Sequence, residues 1–337
     1  MTKSLAERTK EAYQERKRLV VPLLGFPGVQ LSETSIKLAQ QNYQVHFKTL
    51  KALVETFSPD MIFPLMDLSV EANALGRLTH FPVADSAAVP RDRFHFEELE
   101  KLREIDLSSD GRVHVYVETV KLMRIGLPDN VLRGAYVIGP YTLASLIIGA
   151  EDAAILAVEG AGDLHRLCEF AAAKILEYAK LLMAAGAEVV CVLEPSAVML
   201  GPRQFQEFSA AYVAGIRQIC AVNGGSTIYH ICGNSMNLIE QMAASGVDGI
   251  SLDSSEVGVN LAGAARLIPE NVVVIGNVNP VKTMLFGTPD DVRKEVRALL
   301  REMRSYPNFI LSTGCDLPQQ TPLENIHAFM DAGRSGF

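Results

Sequence analysis

Eight short apolar, β-rich runs punctuate the chain, at residues 19–24, 61–66, 134–138, 189–193, 227–231, 249–252, 272–275 and 309–312. Near-continuous apolar runs, as opposed to alternating ones, belong to parallel strands buried on both faces. Eight of them with helical stretches between predict an α/β fold, a single-domain (β/α)8 TIM barrel over residues 1–337. The chain is 48% hydrophobic, enough to fill one large core. Residues 164–184, 202–223, 235–244 and 289–304 read as covering helices, and the polar start MTKSLAERTKEAYQERKR as an N-terminal helical extension. Residues 78–133 keep the rhythm least well and predict a small excursion before the third strand. A doubly wound sheet is the competing topology, but no GxGxxG follows the first run.

Lys and Arg number 31 against 39 Asp and Glu, a net charge of −8 without a basic stripe, so no nucleic-acid partner is expected. No apolar run reaches the roughly 18 residues of a membrane span, and the N-terminus lacks the apolar stretch of a signal peptide. The expectation is a cytoplasmic protein with no membrane partner. In such a chain Cys168, Cys191, Cys220, Cys232 and Cys315 are core thiols or metal ligands before they are disulfides.

A barrel carries its chemistry at the C-terminal ends of its strands. Polar and small residues gather there: Asp67 after the second run, GPYT with Tyr141 after the third, Glu194 after the fourth, HICGN after the fifth, LDSSE after the sixth, GNVNP with Asn277 and Asn279 after the seventh, and TGCDLPQQTP after the eighth. The sharpest pattern is His230-Ile231-Cys232. On a strand, residues two apart share a face, so both side chains can address one ion. Cys315 ends the eighth run, which in a closed barrel faces the fifth across the mouth. One imidazole and two thiolates suit Zn²⁺, and three protein ligands with an open position is the catalytic arrangement. Asp253, Glu256 and Glu194 are the candidates for a fourth ligand. Asp67, Glu194 and Tyr141 are candidate catalytic groups, and Asn277 and Asn279 candidate cofactor contacts. Each also has a plainer role: helix capping for Asp67, aromatic packing for Tyr141, a buried partnered carboxylate for Glu194, and turn bridging for Asn277 and Asn279.

The H-x-C pair, the distant GCD-P…TP-ENI segment and MDLSVEANALG resemble the methylcobalamin:coenzyme M methyltransferase family, within the wider uroporphyrinogen decarboxylase superfamily. The similarity runs through most of the chain and is strongest over residues 58–76 and from 186 to the end. It implies a TIM barrel whose zinc, held at the positions of His230, Cys232 and Cys315, binds a methyl-accepting thiol as thiolate. The implied co-substrate is a methylcorrinoid (cobalamin). Since no DxHxxG motif is present, it is expected to arrive on a separate corrinoid carrier protein. Asp67 or Glu194 would take the thiol proton or orient the ligands. Two departures separate the chain from true decarboxylases. The segment after the first run, LLGFPGVQL, has none of the arginines that grip a polycarboxylate, and Gly314-Cys315 stands where the decarboxylases have Gly-His. Asp67 matches their substrate-centring aspartate, and the GPYT turn resembles their strand-three turn.

The reading that follows is a zinc-dependent methyltransferase moving a methyl group from a methylated corrinoid to a thiol such as coenzyme M. The alternatives are a uroporphyrinogen decarboxylase-like carboxy-lyase of tetrapyrrole (heme) biosynthesis, and a non-catalytic metal- or corrinoid-binding partner in a methyl-transfer complex. A homodimer is the assembly considered, although no residue pattern specifies it.

Overall fold

Val189-Val190-Cys191-Val192-Leu193 has the aliphatic, β-branched make-up of a strand buried on both faces. The computed structural model, which describes residues 3–335, forms one there. Seven strands pair in parallel in chain order: β1 (Met61–Ile62), β2 (Leu132–Ile138), β3 (Val189–Leu193), β4 (Ser226–Ile231), β5 (Gly249–Leu252), β6 (Val273–Val278) and β7 (Phe309–Thr313). Each lies within one of the expected runs or overlaps it. β1 stops after two residues, shortly before Pro64, which has no N–H for a ladder.

The first run differs from expectation. Residues 19–21 lie between β7 and the start of β1 but form only a bridge, Val20 to Leu311. Val21 N donates to Leu311 O at 2.8 Å, Leu311 N donates to Leu19 O at 3.0 Å, and Asp60 N donates to Val20 O at 3.2 Å. Pro22 follows and can donate nothing, so the ladder ends there. The two sheet edges are thus joined, and their polar groups are not left open. The result is a TIM-barrel-like α/β fold with seven strands curled around a common interior.

Inward side chains such as Phe63, Tyr136, Cys191, Ile228, Ile275 and Ile310 fill that interior. Phe63 stacks on Tyr136 with ring centroids 4.7 Å apart. The N-terminal helix Leu5–Gln14 starts in a Ser4–Glu7 capping box and adds Leu5 to the same inner cluster. Outside lie α1 (Tyr43–Phe57), α2 (Val70–Ala74), α3 (Gly111–Gly126), α4 (Pro140–Ile148), α5 (Ala161–Ala185), α6 (Ala211–Val222), α7 (Pro289–Glu302) and α8 (Leu323–Arg334). The expected helix 202–223 is interrupted by a π-helical stretch, Gln206–Ala210. The excursion before β2 contains the His80–Ala88 bridge, short helical turns and the whole of α3. No single helix among the described residues is long and apolar enough to cross a membrane.

Candidate metal centre

β4 presents His230 as its penultimate residue, and Cys232 follows just past its end. Cys315 lies two residues beyond the end of β7. The backbone therefore brings three soft donors to the same end of the barrel. His230 Nε2 is 3.1 Å from Cys232 Sγ, Cys232 Sγ is 3.3 Å from Cys315 Sγ, and Cys315 Sγ is 3.8 Å from His230 Nε2. All three donor atoms fall within 4.8 Å of one another. His230 is buried while both thiols keep partial access. The Cys232 contact, and then burial, hold the Cys315 thiol well above its usual pKa.

Below this group the barrel is closed. The cavity lined by Phe63, Tyr136, Cys191, His230, Ser251 and Ile310 has a volume of ≈ 10 Å³, about the least that one water molecule needs. A reactant must therefore reach the donors from the mouth. Tyr136 stands in this wall, and burial first, then the neighbouring Asp316 and the three nearby thiols, push its hydroxyl well above the ordinary tyrosine range. Asp316, next to Cys315, is also raised well above an ordinary carboxyl, by burial and by Cys315.

The ligand segment is braced from β5. His230 Nδ1 lies 2.9 Å from Ser251 Oγ. Asp253 accepts from Gly233 N at 2.7 Å and from Ser254 N at 2.6 Å. Asn277 Nδ2 donates to Asp253 O at 2.8 Å. Asn279 accepts from Val281 N and Lys282 N at 2.9 and 2.7 Å, and its Nδ2 lies 3.3 Å from Ser254 Oγ. Both asparagines thus bind the loops after β5 and β6. Glu256 is exposed and pairs with Lys282 at 2.8 Å. Neither Asp253 nor Glu256 belongs to the three-donor group. Gly314 is required by close approach, since a Cβ there would sit 2.5 Å from the backbone nitrogen of Ser254.

Asp67 sits in a second polar cluster. Its Oδ1 accepts from Ser69 N and Ser69 Oγ at 2.9 and 2.6 Å, and its Oδ2 from Tyr116 Oη at 2.9 Å and from the Arg112 guanidinium. Arg112 also donates to Ser69 Oγ at 3.0 Å and lies over the Phe81 ring. Glu71, one helical turn on, accepts from Ile138 N at 2.8 Å. Burial raises its carboxyl to about 7 against that bond. Asp67 is therefore already saturated with donors, its side chain wholly enclosed.

Glu194 and Tyr141 lie on the outer side of β3. Glu194 accepts from Thr142 N at 2.6 Å and Tyr141 N at 3.3 Å, the first turn of α4, and from Ser209 Oγ at 2.6 Å in the π-helical stretch. Burial lifts its carboxyl to about 7 even so. Tyr141 is fully buried and its hydroxyl is raised to about 12, by burial and then by Glu194. The structure thus brings His230, Cys232 and Cys315 together, sets Asp253, Asn277 and Asn279 beside them as bracing, and puts Glu194 and Tyr141 in the helix layer.

Sequence reasoning passed over Ser251, Tyr136, Glu71, Arg112, Tyr116 and His46. Arg112 and Tyr116 are one turn apart on α3, a spacing that places them on one face, but α3 fell in the excursion. His46 is wholly buried, accepts from Leu65 N at 2.9 Å through Nε2, and is lowered to about 3 by burial. It is a structural neutral imidazole.

A methylcobamide:CoM methyltransferase of Methanosarcina acetivorans is 28% identical over 243 residues, covering 72% of this chain and 69% of its own. A uroporphyrinogen decarboxylase of Prochlorococcus marinus is 27% identical over 303 residues, covering 87% of this chain and 82% of its own. Among solved structures, a methyltransferase from Methanosarcina mazei superposes with a TM-score of 0.86 over 98% of both chains at 22% identity, a likeness of fold. The family model described as Uroporphyrinogen decarboxylase (URO-D) matches residues 30–336, and the chain belongs to that family.

Proposed function

We propose that this protein is a zinc-dependent methyltransferase that moves a methyl group from a methylated corrinoid, delivered by a carrier protein, to a thiol such as coenzyme M. We assign the reaction to a single cytoplasmic TIM-barrel-like domain over residues 1–337, with seven strands and an N-terminal helical extension. The observation that carries this reading is the convergence of His230, Cys232 and Cys315 within 4.8 Å at the barrel mouth. The donor set fits zinc. Ligands at ~2.3 Å for sulfur and ~2.1 Å for nitrogen stand roughly 3.6–3.8 Å apart around a tetrahedral ion. The separations here run from 3.1 to 3.8 Å.

Zinc, when bound, lowers the pKa of a coordinated thiol so that it ionises at neutral pH. The chain's own residues supply the rest. His230, Cys232 and Cys315 would hold the ion, and the incoming thiol would reach it from the mouth. The closed interior below keeps the substrate at the mouth, where a carrier-bound corrinoid can align with it. The incoming thiol would give its proton to solvent at the mouth, and the chain's part would be to hold the resulting thiolate in line with the donor's methyl group, so that a sulfur–carbon bond would form as the methyl–cobalt bond breaks with both electrons kept by the departing corrinoid. Asp67, with all its acceptor capacity used by Ser69, Tyr116 and Arg112, supports the β1 end of the mouth in this scheme.

The test is metal analysis of the protein beside a Cys315→Ser variant, followed by methyl transfer from methylcobalamin to a panel of thiols. About one zinc per chain is expected in the parent, with a sharp loss in the variant, and thiol methylation only by the loaded parent. The carboxy-lyase reading draws on the similarity to the Prochlorococcus enzyme and predicts activity that survives metal stripping. A parent that neither contains nor takes up zinc would overturn the methyltransferase proposal.

A further inference from the structure

Parallel pairing sets His230 of β4 directly beside Ser251 of β5, so the two side chains leave the same face of the sheet. Ser251 Oγ is 2.9 Å from Nδ1 of the ring whose Nε2 faces the thiols. A neutral imidazole carries one proton. If Nδ1 donates it to Ser251, the Nε2 lone pair is free to point at the Cys232–Cys315 pair. Two residues on, Asp253 reaches the peptide that follows Cys232. Its Oδ2 accepts from Gly233 N at 2.7 Å, and its Oδ1 accepts from Ser254 N at 2.6 Å. Gly233 has φ +83, a left-handed turn that directs the chain away just after the thiol. The β5 end is itself tied to β6, because Asn277 donates to Asp253 O. Both oxygens of Asp253 are therefore committed to backbone N–H groups, and its carboxylate stands outside the three-donor group.

We infer that Ser251 and Asp253 are positioning residues of the centre. Ser251 fixes the ring of His230 with Nε2 as its ligand atom, and Asp253 fixes the Cys232–Gly233 turn as a backbone acceptor, not as a fourth ligand. This inference rests on the zinc reading above. It predicts that one short strand, which contributes no ligand, controls how tightly the ion is held. Partners of this kind typically change metal affinity by 10–100-fold when removed.

The experiment is a zinc competition titration against a chelating indicator, run on the full-length parent and four variants, together with the visible spectrum of each protein loaded with Co²⁺. Ser251→Ala is expected to bind roughly 10–100-fold more weakly, with Ser251→Thr, which keeps the hydroxyl, restoring affinity to within a few-fold. Asp253→Asn keeps an acceptor oxygen for Gly233 N, and is expected to stay close to the parent in affinity and cobalt spectrum. Asp253→Ala removes that acceptor and is expected to bind at least about 10-fold more weakly. Ser251→Ala binding as tightly as the parent overturns the role of Ser251. Asp253→Asn losing the ion with a changed cobalt spectrum makes Asp253 a ligand and overturns its role. Should Ser251→Ala not fold, the ring nitrogens of His230 in the zinc-loaded parent decide by NMR. Protonated Nδ1 with metal-bound Nε2 is expected, and the reverse assignment overturns the proposal. A parent that binds no zinc overturns the metal reading itself, whereas a zinc-binding parent with an indifferent Ser251→Ala overturns only this inference.

Discussion

Asp67 shows how a residue's type can be legible while its use is not. Its place after a strand run, in MDLSVEANALG, marks it as a strand-end carboxylate. Its partners, Arg112 and Tyr116, are supplied by a helix 45 or more residues away, and no local pattern announces that meeting. The pair is enclosed, with side-chain exposures of 9% and 0%. Breaking a buried pair from one side leaves an uncompensated charge and destabilises by about 3–5 kcal/mol. Asp67→Asn is therefore expected to lower the unfolding free energy measured in urea by that order, while Asp67→Asn combined with Arg112→Met should recover part of the loss. A double variant no more stable than the single one would count against the pairing as the cause. The three soft donors were readable because strand parity alone places His230 and Cys232 on one face. Ser251 was not, because a serine on an apolar strand has no signature until its neighbour's register is known.

Between elements, the junction of β3, α4 and the π-helical stretch is made by one carboxylate. Glu194 takes the first N–H groups of α4, where a helix favours negative charge, and the Ser209 hydroxyl. Gly139 is needed beside it, since a Cβ there would lie 2.2 Å from the Glu194 carboxyl carbon. Burial nevertheless outweighs these bonds and raises Glu194 to about 7, as it does Glu71. Both groups hold their protons more tightly folded than unfolded. Their contribution is thus fully present below the unfolded carboxyl value and fades as pH rises through about 7. Each pH unit between the two values is worth ~1.4 kcal/mol per group. Stability in urea is expected to fall from pH 5 to pH 8, and Glu194→Gln should flatten that slope. A slope unchanged in both Glu194→Gln and Glu71→Gln would refute the assignment. The element boundaries were legible where aliphatic runs were uninterrupted, as at 189–193 and 249–252. They failed where proline stopped a ladder after Val21 or where the π-helical turn split a continuous helical pattern.

At the scale of the whole molecule, the candidate centre joins strands that are distant in the chain. Cys232 and Cys315 are 83 residues apart in sequence and meet at 3.3 Å only because β4 through β7 curl around one interior. An unfolded chain holds no such site, so the free energy of binding an ion there belongs to the folded state. Zinc at 1,000 times its Kd would stabilise the fold by ~4 kcal/mol. With the ~2.1 cal/mol/K per residue of unfolding entropy common to globular proteins, that corresponds to roughly 6 °C in Tm for a chain of this size. The zinc-loaded parent is expected to melt higher than the chelator-stripped protein by about this amount, and zinc restored to the stripped protein should recover it. Cys315→Ser should show little or none of the difference, because two donors on β4 no longer reach across the ring. An equal rise in Cys315→Ser would mean that the ion binds elsewhere, and that the three-donor group does not carry it. A rise confined to the parent would tie the centre to closure of the barrel, since the same contact that holds the ion also holds the β7 end against the β4 end.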